Sequence, residues 1–295
     1  MRVMIIIVLV MFIIINPFVR YVVFHPIISL KNAINDIRDY FLHKRKNECP
    51  YYGRIFSFCA SDYKAFGSGK TLSMIEWLNF VYKTYNGLPV WDEDKQDFVM
   101  QRIIIISNVE LKSIPYIPFR GKDQFTNIDK LEHTEHDVII FAIDEAGQEF
   151  NSREYKTNLP TQYLTRLLQI RHNRIAICMT SQRFSFIDKT LRSVCNTVTC
   201  CKKKWRIVML QDFDAYALEN CANPELIRPY KTRFYFATND LYNSYDTTYN
   251  VEKLKEDYES GQFLGTEEIF ERIKTDGDIM LASKKFRKSA KMNKK

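Results

Sequence analysis

The chain has 295 residues, of which 46% are hydrophobic, and its formal net charge is +8 at pH 7. This length allows one sizeable α/β core with appendages, whereas two full domains would be crowded. Seven of the eight net positive charges come from residues 284–295, so the rest of the chain is close to neutral. The composition therefore excludes an evenly basic nucleic-acid-binding face and confines the basic character to the C-terminal tail.

The seven cysteines exclude two other classes of protein. They form no Cys-x-x-Cys pair and have no histidine at zinc-ligand spacing, which argues against a zinc site. An odd number scattered through apolar runs indicates reduced thiols rather than a disulfide framework. We therefore expect the body of the protein in a reducing, cytosolic compartment.

The N-terminus predicts a membrane anchor. Residues 3–15 are apolar without interruption, and counting to Val19 gives seventeen residues, close to the roughly 20 that span a bilayer. A cleaved signal peptide is the alternative, but no small-x-small cleavage site follows. Basic residues are more frequent after the segment than before it, which predicts a single-pass protein of the host cytoplasmic (inner) membrane with its body in the cytoplasm. Residues 26–49 read as an amphipathic connector or, equally, as a simple linker helix.

A loop between a predicted strand at residues 54–60 and a predicted helix at 71–85 has the composition of a phosphate-binding loop. Gly67 and Gly69 let the backbone curl so that successive N–H groups point inward. The N-terminus of the following helix adds a partial positive charge that favours anions. Lys64 stands where the usual pattern has its first glycine.

This loop predicts how a nucleotide would be held. We expect Lys70 to reach the β- and γ-phosphates of ATP and the Thr71 hydroxyl to bind Mg²⁺. The predicted nucleotide-binding residues are Ala65, Phe66, Gly67, Ser68, Gly69, Lys70 and Thr71.

A second half of the site follows the apolar run at residues 138–143. A strand of a parallel sheet that is buried on both faces carries charge only at its C-terminal end, where the ligand crevice opens. Asp144 and Glu145 stand at that end. Asp144 is predicted to bind Mg²⁺ and Glu145 to activate the attacking water. The alternative, without a catalytic role, is a buried strand followed by a polar turn.

Two further apolar runs, at residues 102–107 and 175–180, predict buried strands of the same sheet. Gln182 follows the second of them, at the sheet edge where Asp144 is expected. A neutral amide there would donate to the γ-phosphate or orient the water. A solvated turn glutamine is the alternative.

The C-terminal part is less regular. Residues 197–201 and 205–210 predict a β-hairpin with a basic turn at 202–204, whose lysines are either solvated or in contact with a phosphate backbone. Residues 212–283 follow as a mixed extension, in which a short helix is predicted at 267–274, and the basic tail at 284–295 is predicted to be disordered.

These elements predict an α/β P-loop NTPase with a mostly parallel central sheet flanked by helices, an N-terminal transmembrane helix and a C-terminal β-hairpin and mixed extension. The predicted segments are an anchor at 1–25, a connector at 26–49, the ATPase core at 50–211, the extension at 212–283 and the tail at 284–295.

The order of these motifs resembles one known family. They are Gly67-Ser68-Gly69-Lys70-Thr71, Ile106-Ser107-Asn108-Val109, Ile143-Asp144-Glu145-Ala146, Arg171-His172 and Thr180-Ser181-Gln182. Over roughly residues 50–210 the chain resembles the zonula occludens toxin-like family, which includes filamentous-phage assembly ATPases and lies near the FtsK/HerA packaging ATPases. The predicted anchor precedes the ATPase core, whereas the filamentous-phage proteins are expected to have theirs after it.

The resemblance implies a homo-oligomeric ring in which an arginine of one subunit completes the site of its neighbour. Arg171, paired with His172, is the first candidate for this catalytic role, ahead of Arg174 and Arg192. Arg171 and Arg174 precede the strand that ends near Gln182, so they are expected at the sheet edge opposite their own nucleotide. The alternative is an ordinary arginine at a helix C-terminus.

The sequence thus predicts a membrane-anchored ATPase of viral or mobile-element origin that powers virion assembly, extrusion or DNA packaging. Its expected partners are other copies of the chain, the membrane, nucleic acid and virion or secretion components. Two rival hypotheses remain open: a membrane scaffold that uses nucleotide as a switch with little turnover, and a conjugation-type DNA coupling ATPase.

Overall fold

The computed structural model describes residues 11, 14–60, 66–121, 124–125, 127–150, 161–246 and 266–292, with backbone only at 161–164, 246 and 284–292. The chain divides into two compact units. The smaller unit is Met1–Glu48 with Val90–Phe98, and the larger is Cys49–Pro89 with Val99–Lys295.

The smaller unit corrects the predicted membrane anchor. Helix α1 (Pro17–Phe24) begins after Asn16, whose side-chain oxygen accepts a hydrogen bond of 3.0 Å from the backbone N–H of Phe18, and it ends at His25. Helix α2 (Pro26–Leu42) then starts anew and includes charged residues. Residues 1–10, 12 and 13 of the predicted anchor lie outside the described residues, and in the described part the Asn-Pro and His-Pro steps bound the eight-residue helix α1. No described helix combines the length and apolarity needed to cross a membrane, so the predicted single-pass anchor and membrane localisation are wrong.

The larger unit is built on one eight-stranded sheet. Its strand order is β11-β10-β9-β1-β8-β7-β4-β6. Neighbouring strands from β9 to β6 in this order are parallel, whereas β10 pairs antiparallel with both β9 and β11. Two short pairs, β2 with β3 and β12 with β5, lie outside it. The strands are β1 Ile55–Ala60, β2 Leu88–Asp92, β3 Asp97–Gln101, β4 Ile103–Ser107, β5 Glu110–Leu111, β6 Ile117–Pro118, β7 Val138–Ile143, β8 Ile175–Ser181, β9 Thr197–Lys204, β10 Ile207–Asp214, β11 Lys231–Phe236 and β12 Tyr245–Asp246.

Helices flank this sheet, and together they confirm the predicted α/β fold with a mostly parallel centre. The remaining helices are α3 Lys70–Tyr85, α4 Ala146–Glu149, α5 Thr161–Leu168, α6 Lys189–Val194, α7 Ala215–Asn220, α8 Asn239–Tyr242 and α9 Thr266–Met292.

The core follows from the apolar strands. Every residue of β4, β7 and β8 is buried, as expected for central parallel strands that are covered on both faces. Helix α3 packs Leu72, Ile75 and Leu78 into this core. Each such side chain contributes about 1.5–3 kcal/mol when fully buried. The carboxyl ends of these strands are therefore held rigidly at one edge of the sheet.

The hairpin of β9 and β10 differs from its prediction. Lys202, Lys203 and Lys204 lie in strand β9, and the turn is formed by Trp205 and Arg206, because Lys204 pairs with Ile207. Trp205 adopts a left-handed φ of 56°, which a two-residue hairpin turn requires at its first position. The three lysines therefore alternate between the two faces of the sheet.

Helix α9 is longer than the predicted helix at residues 267–274, and its backbone continues into the basic tail as far as Met292. The lysine, arginine, alanine and methionine residues of that tail have high intrinsic helix propensity. Gly277 of this helix packs closely against Gly87, which follows α3. A Cβ atom built on Gly277 would lie 2.9 Å from the Gly87 Cα. Asn86 strengthens this contact by donating a hydrogen bond of 2.9 Å to the backbone oxygen of Ile273.

Candidate functional site

The predicted phosphate-binding loop lies between β1 and α3. Gly67 and Gly69 have φ values of 70° and 87°, a region that glycine enters without steric cost, and α3 begins at Lys70 directly after Gly69. Phe66 is 80% exposed, whereas Ala65 lies outside the described residues. The loop therefore delivers the N-terminus of a sixteen-residue helix to the carboxyl edge of the sheet.

Ser68 gives an independent sign that this loop accommodates an anion. Its side-chain oxygen is buried, and in the described part of the chain it has no hydrogen-bond partner. A buried hydroxyl without a partner costs free energy of about 1–3 kcal/mol. A phosphate oxygen at the helix N-terminus would supply the missing acceptor.

The two predicted metal ligands are in direct contact. The Thr71 hydroxyl donates a hydrogen bond of 2.8 Å to Oδ1 of Asp144, and the Thr180 hydroxyl donates one of 2.5 Å to the same oxygen. Neighbouring ligands of an octahedral Mg²⁺ with bonds of about 2.1 Å lie about 3 Å apart. The separation of Thr71 Oγ1 and Asp144 Oδ1 therefore fits a Mg²⁺ site.

Asn108 fixes the backbone of Asp144. Its side-chain oxygen accepts a hydrogen bond of 2.7 Å from the Asp144 N–H, and its Nδ2 donates one of 2.9 Å to the Asp144 carbonyl. Asn108 thus holds both backbone groups of Asp144, while the hydroxyls of Thr71 and Thr180 orient its carboxylate.

Glu145 faces the lysine of the phosphate loop. Its Oε1 lies 3.8 Å from Nζ of Lys70, and its N–H donates a hydrogen bond of 3.0 Å to Thr180 Oγ1. Glu145 has a left-handed φ of 47°, which is uncommon for a residue with a side chain and is often found at functional sites. Burial raises the pKa of Glu145, the Lys70 ammonium lowers it, and the Asp144 carboxylate raises it.

Gln182 follows β8 at the same edge of the sheet. It lines a cavity of about 610 Å³ together with Ala60, the last residue of β1, and Arg192 of α6. Arg192 is paired with Glu219 of α7 and donates a hydrogen bond of 3.0 Å to the Ile187 carbonyl. Gln182 thus shares this cavity with Ala60, the last described residue before the phosphate loop.

Arg171 lies at the opposite edge. It is exposed and precedes β8, and its side chain packs against Gly53, which precedes β1. Arg174, in the same turn, has its guanidinium 4.8 Å from the ring centre of Tyr52. Both arginines are therefore positioned away from the phosphate loop of their own chain.

The structure brings Lys70, Thr71, Asp144 and Glu145 together and leaves Arg171 apart. The sequence motifs predicted Ser68 as a nucleotide-binding residue but indicated no role for Thr180 or Asn108. The available signal was position, because Asn108 and Thr180 stand at the ends of strands β4 and β8, within two of the motifs that carry the family resemblance. Small polar residues at the carboxyl ends of neighbouring parallel strands are expected to meet.

The fold is similar to several solved structures. The N-terminal domain of zonular occludens toxin from Neisseria meningitidis matches with a TM-score of 0.43 and 17% identity, covering 65% of this chain and 98% of that domain. The genome packaging NTPase B204 from Sulfolobus turreted icosahedral virus 2, in complex with ATP-gammaS, matches with a TM-score of 0.41 and 11% identity, covering 63% and 97%. EssC (ATPases 2 and 3) from Geobacillus thermodenitrificans matches with a TM-score of 0.36 and 16% identity, covering 70% and 44%.

No curated protein matches the chain. The model of the zonular occludens toxin (Zot) family matches residues 65–248, which is more than half of the 295 residues. The matched range includes the described elements from α3 to β12. This span includes Lys70, Thr71, Asp144, Glu145 and Gln182. The chain belongs to the zonular occludens toxin (Zot) family.

Proposed function

We propose that this protein is a Mg²⁺-dependent ATPase of viral or mobile-element origin that powers virion assembly or DNA packaging. The observation that carries the proposal is the hydrogen bond of 2.8 Å between Thr71 and Asp144 beside the helix N-terminus of the phosphate loop. Membership of the Zot family supports the proposed role in virion assembly or DNA packaging, because the motifs of this chain resemble those of phage assembly ATPases.

The loop residues would bind the triphosphate. The backbone N–H groups at the start of α3 and the Lys70 ammonium offer positive charge to the β- and γ-phosphates. The Ser68 hydroxyl is buried in the same loop and has no hydrogen-bond partner among the described residues, so it would donate to a phosphate oxygen. A Mg²⁺ ion held by Thr71 and Asp144 would neutralise charge that develops on the phosphates. Charge neutralisation and positioning are the main means by which phosphoryl transfer is accelerated.

Glu145 is suited to act on the water. Its carboxylate lies beside Lys70 and next in sequence to Asp144, and its raised pKa brings its basicity closer to neutral pH. The Thr180 hydroxyl oxygen accepts a hydrogen bond from the Glu145 N–H and so fixes the position of the Glu145 backbone. In this proposal Glu145 orients the attacking water and accepts its proton, and Gln182 contacts the γ-phosphate from the end of the neighbouring strand β8.

The proposal is tested by phosphate release from purified protein with Mg²⁺ and ATP. The substitution Lys70→Ala removes the phosphate-binding ammonium and should abolish hydrolysis. A matched control is Lys83→Ala, at an exposed position near the other end of the same helix, which should hydrolyse ATP like the unaltered protein. Full activity of the Lys70→Ala protein would refute the assignment.

Single-turnover measurements decide between the ATPase and the nucleotide-switched scaffold. In a single turnover an ATPase converts bound ATP into ADP and phosphate, whereas a switch releases the ATP intact. Binding of Mg²⁺-ATP at Thr71 and Asp144 without cleavage over many dissociation times would favour the scaffold. The conjugation-type coupling ATPase has the same chemistry, and the genes adjacent to this one would separate it from a virion-assembly ATPase.

A further inference from the structure

One of the three consecutive lysines of β9 faces the phosphate loop. Side chains of a strand alternate between its two faces, so Lys203 is directed opposite to Lys202 and Lys204. Lys203 pairs in register with Val208 of β10. Both residues lie against Gly69: a Cβ built on Gly69 would be 3.5 Å from Lys203 Cβ, 3.6 Å from Lys203 Cδ and 3.6 Å from Val208 Cγ1. The aliphatic stem of Lys203 therefore lies along the last residue of the phosphate loop, directly before Lys70.

The ammonium of Lys203 is held in place by an aromatic ring. Its Nζ lies 4.8 Å from the ring centre of Tyr242, at the end of α8. Arg206 lies on the same ring, with its Cζ 5.5 Å from the centre, and donates hydrogen bonds to the Ala237 carbonyl at 3.1 Å and to Asn239 Oδ1 at 2.6 Å. None of the ion pairs within 4.0 Å in the described part of the chain includes Lys203, and the contact that the structure shows for its ammonium is the Tyr242 ring.

The segment that carries Tyr242 also reaches the metal-binding side of the site. Strand β12 begins at Tyr245 and pairs with β5. Strand β5 begins two residues after Asn108, whose side chain holds the backbone of Asp144 by two hydrogen bonds. The segment that carries Tyr242 and Tyr245 therefore runs from the Lys203 ammonium towards the strand that follows Asn108.

We propose that Lys203 is a further nucleotide-contacting residue, which binds a phosphate of ATP from the β9–β10 hairpin. The inference rests on the proposed function, since it adds a cation to the same site. A lysine is a compact charge on a flexible stem, and rotation of its terminal bonds carries Nζ several ångströms. From its position along Gly69 the ammonium can leave the Tyr242 ring and meet a phosphate at the N-terminus of α3.

The neighbouring lysines provide matched controls. Lys202 and Lys204 are exposed on the other face of the sheet, in register with Met209 and Ile207. Each has the same charge as Lys203 and lies next to it in β9, but neither is among the residues packed against Gly69. A long-range effect of net charge would alter all three variants alike, whereas a direct phosphate contact would single out Lys203.

The test compares Lys203→Met with Lys202→Met and Lys204→Met in the full-length protein. Binding of Mg²⁺-ATP, Mg²⁺-ADP and adenosine is measured by competition against a fluorescent ATP analogue at fixed salt. We expect Lys203→Met to raise the Kd for ATP by about tenfold or more, the typical loss for a charge-assisted contact, and both controls to stay within about twofold. Adenosine should bind the Lys203→Met protein as it binds the unaltered one, because it lacks phosphates.

Each result decides between defined conclusions. Unaltered protein that binds no ATP would refute the proposed function, and this inference with it. Unaltered protein that binds ATP, with Lys203→Met binding it equally well, would refute the inference alone. Equal weakening in all three variants, or equal loss of adenosine and ATP affinity in Lys203→Met, would assign the effect to net charge or to the fold and would also overturn the inference. Recovery of ATP affinity in Lys203→Arg would support the phosphate contact.

Discussion

Thr71 and Asp144 are 73 residues apart in sequence, and yet the Thr71 hydroxyl donates a hydrogen bond of 2.8 Å to the Asp144 carboxylate. Thr71 is the second residue of α3, and Asp144 follows the last residue of β7. Strand β8 lies between β1 and β7 in the sheet. The contact therefore bridges across a neighbouring strand, and Thr180 of that strand donates a hydrogen bond of 2.5 Å to the same carboxylate oxygen.

The first prediction concerns this contact. Asp144→Asn keeps the size of the side chain but removes the charge that would hold Mg²⁺, so we expect hydrolysis to fall by about a hundredfold or more. Thr71→Ser keeps the hydroxyl and should retain most of the activity. The measurement is phosphate release as a function of Mg²⁺ concentration. Unchanged Mg²⁺ dependence in Asp144→Asn would place the metal elsewhere.

The second prediction separates binding from hydrolysis at Glu145. Glu145→Gln removes the negative charge that lies 3.8 Å from Lys70 Nζ, so the lysine loses a competitor to the phosphates. We expect ATP to bind at least as tightly as to the unaltered protein, while hydrolysis falls by about a hundredfold through loss of the base. Equilibrium ATP binding and single-turnover cleavage measured on the same preparation would check both halves. Weaker binding with normal cleavage would contradict the proposed role.

The third prediction is a pH dependence with a defined sign. A general base acts in its ionised form, and burial raises the pKa of Glu145 above its ordinary value. As the pH is lowered, the hydrolysis rate should therefore begin to fall at a higher pH than an ordinary glutamate would give. The residual rate of Glu145→Gln should lack this acidic limb. An identical acidic limb in both proteins would assign the titration to another group.

The central sheet and four residues of the site could be predicted because their signals are local. Apolar runs such as residues 138–143 fix the strands, and the residues that follow each strand must lie at one edge of a parallel sheet. The direction of Lys203 could not be predicted, because it depends on where the hairpin turns. A turn at residues 202–204 would have left all three lysines in solvent, whereas the observed turn at Trp205 and Arg206 makes them alternate between two faces.

The N-terminal prediction failed for a different reason. Hydropathy averaged over residues 3–19 ignores what Asn16 and Pro17 do to a helix. The Asn16 side chain accepts a hydrogen bond from the Phe18 N–H, and Pro17 occupies the first helical position. Helix α1 therefore begins at Pro17. The helix cap at Asn16 and Pro17 thus determines where α1 begins, and a mean hydropathy over residues 3–19 does not report it.

The fourth prediction tests the contact of α9 with the end of α3. Alanine is normally more stable than glycine inside a helix by about 1 kcal/mol. At Gly277, however, the added Cβ would lie 2.9 Å from the Gly87 Cα, so Gly277→Ala should lower the free energy of unfolding by about 1–3 kcal/mol. The exposed neighbour Lys274 gives the control, since Lys274→Ala should change stability by less than about 0.5 kcal/mol. Denaturant unfolding of both variants measures the difference, and a stabilised Gly277→Ala protein would show that the two segments separate freely.

The last prediction concerns Arg171, which we propose as the residue that completes the site of a neighbouring subunit in a ring. It is exposed at the sheet edge opposite its own phosphate loop, so it is placed to face another copy of the chain. Arg171→Ala alone should assemble and bind ATP but hydrolyse it slowly, since an arginine supplied in trans contributes about 10³-fold or more in related phosphoryl-transfer systems. Arg174 is held on the Tyr52 ring, and Arg192 is paired with Glu219, so both are less available for such a role.

Mixing variants distinguishes a trans arginine from an ordinary surface residue. Lys70→Ala subunits lack the phosphate-binding lysine but retain Arg171, whereas Arg171→Ala subunits retain a complete phosphate loop. When the two inactive proteins are combined, interfaces that pair an intact loop with an intact Arg171 should form, and ATP hydrolysis should recover in part. The control mixture of Arg171→Ala with a Lys70→Ala, Arg171→Ala double variant offers no such interface and should stay inactive. Absence of recovery in mixed rings of normal mass that bind ATP would exclude Arg171 from the trans role.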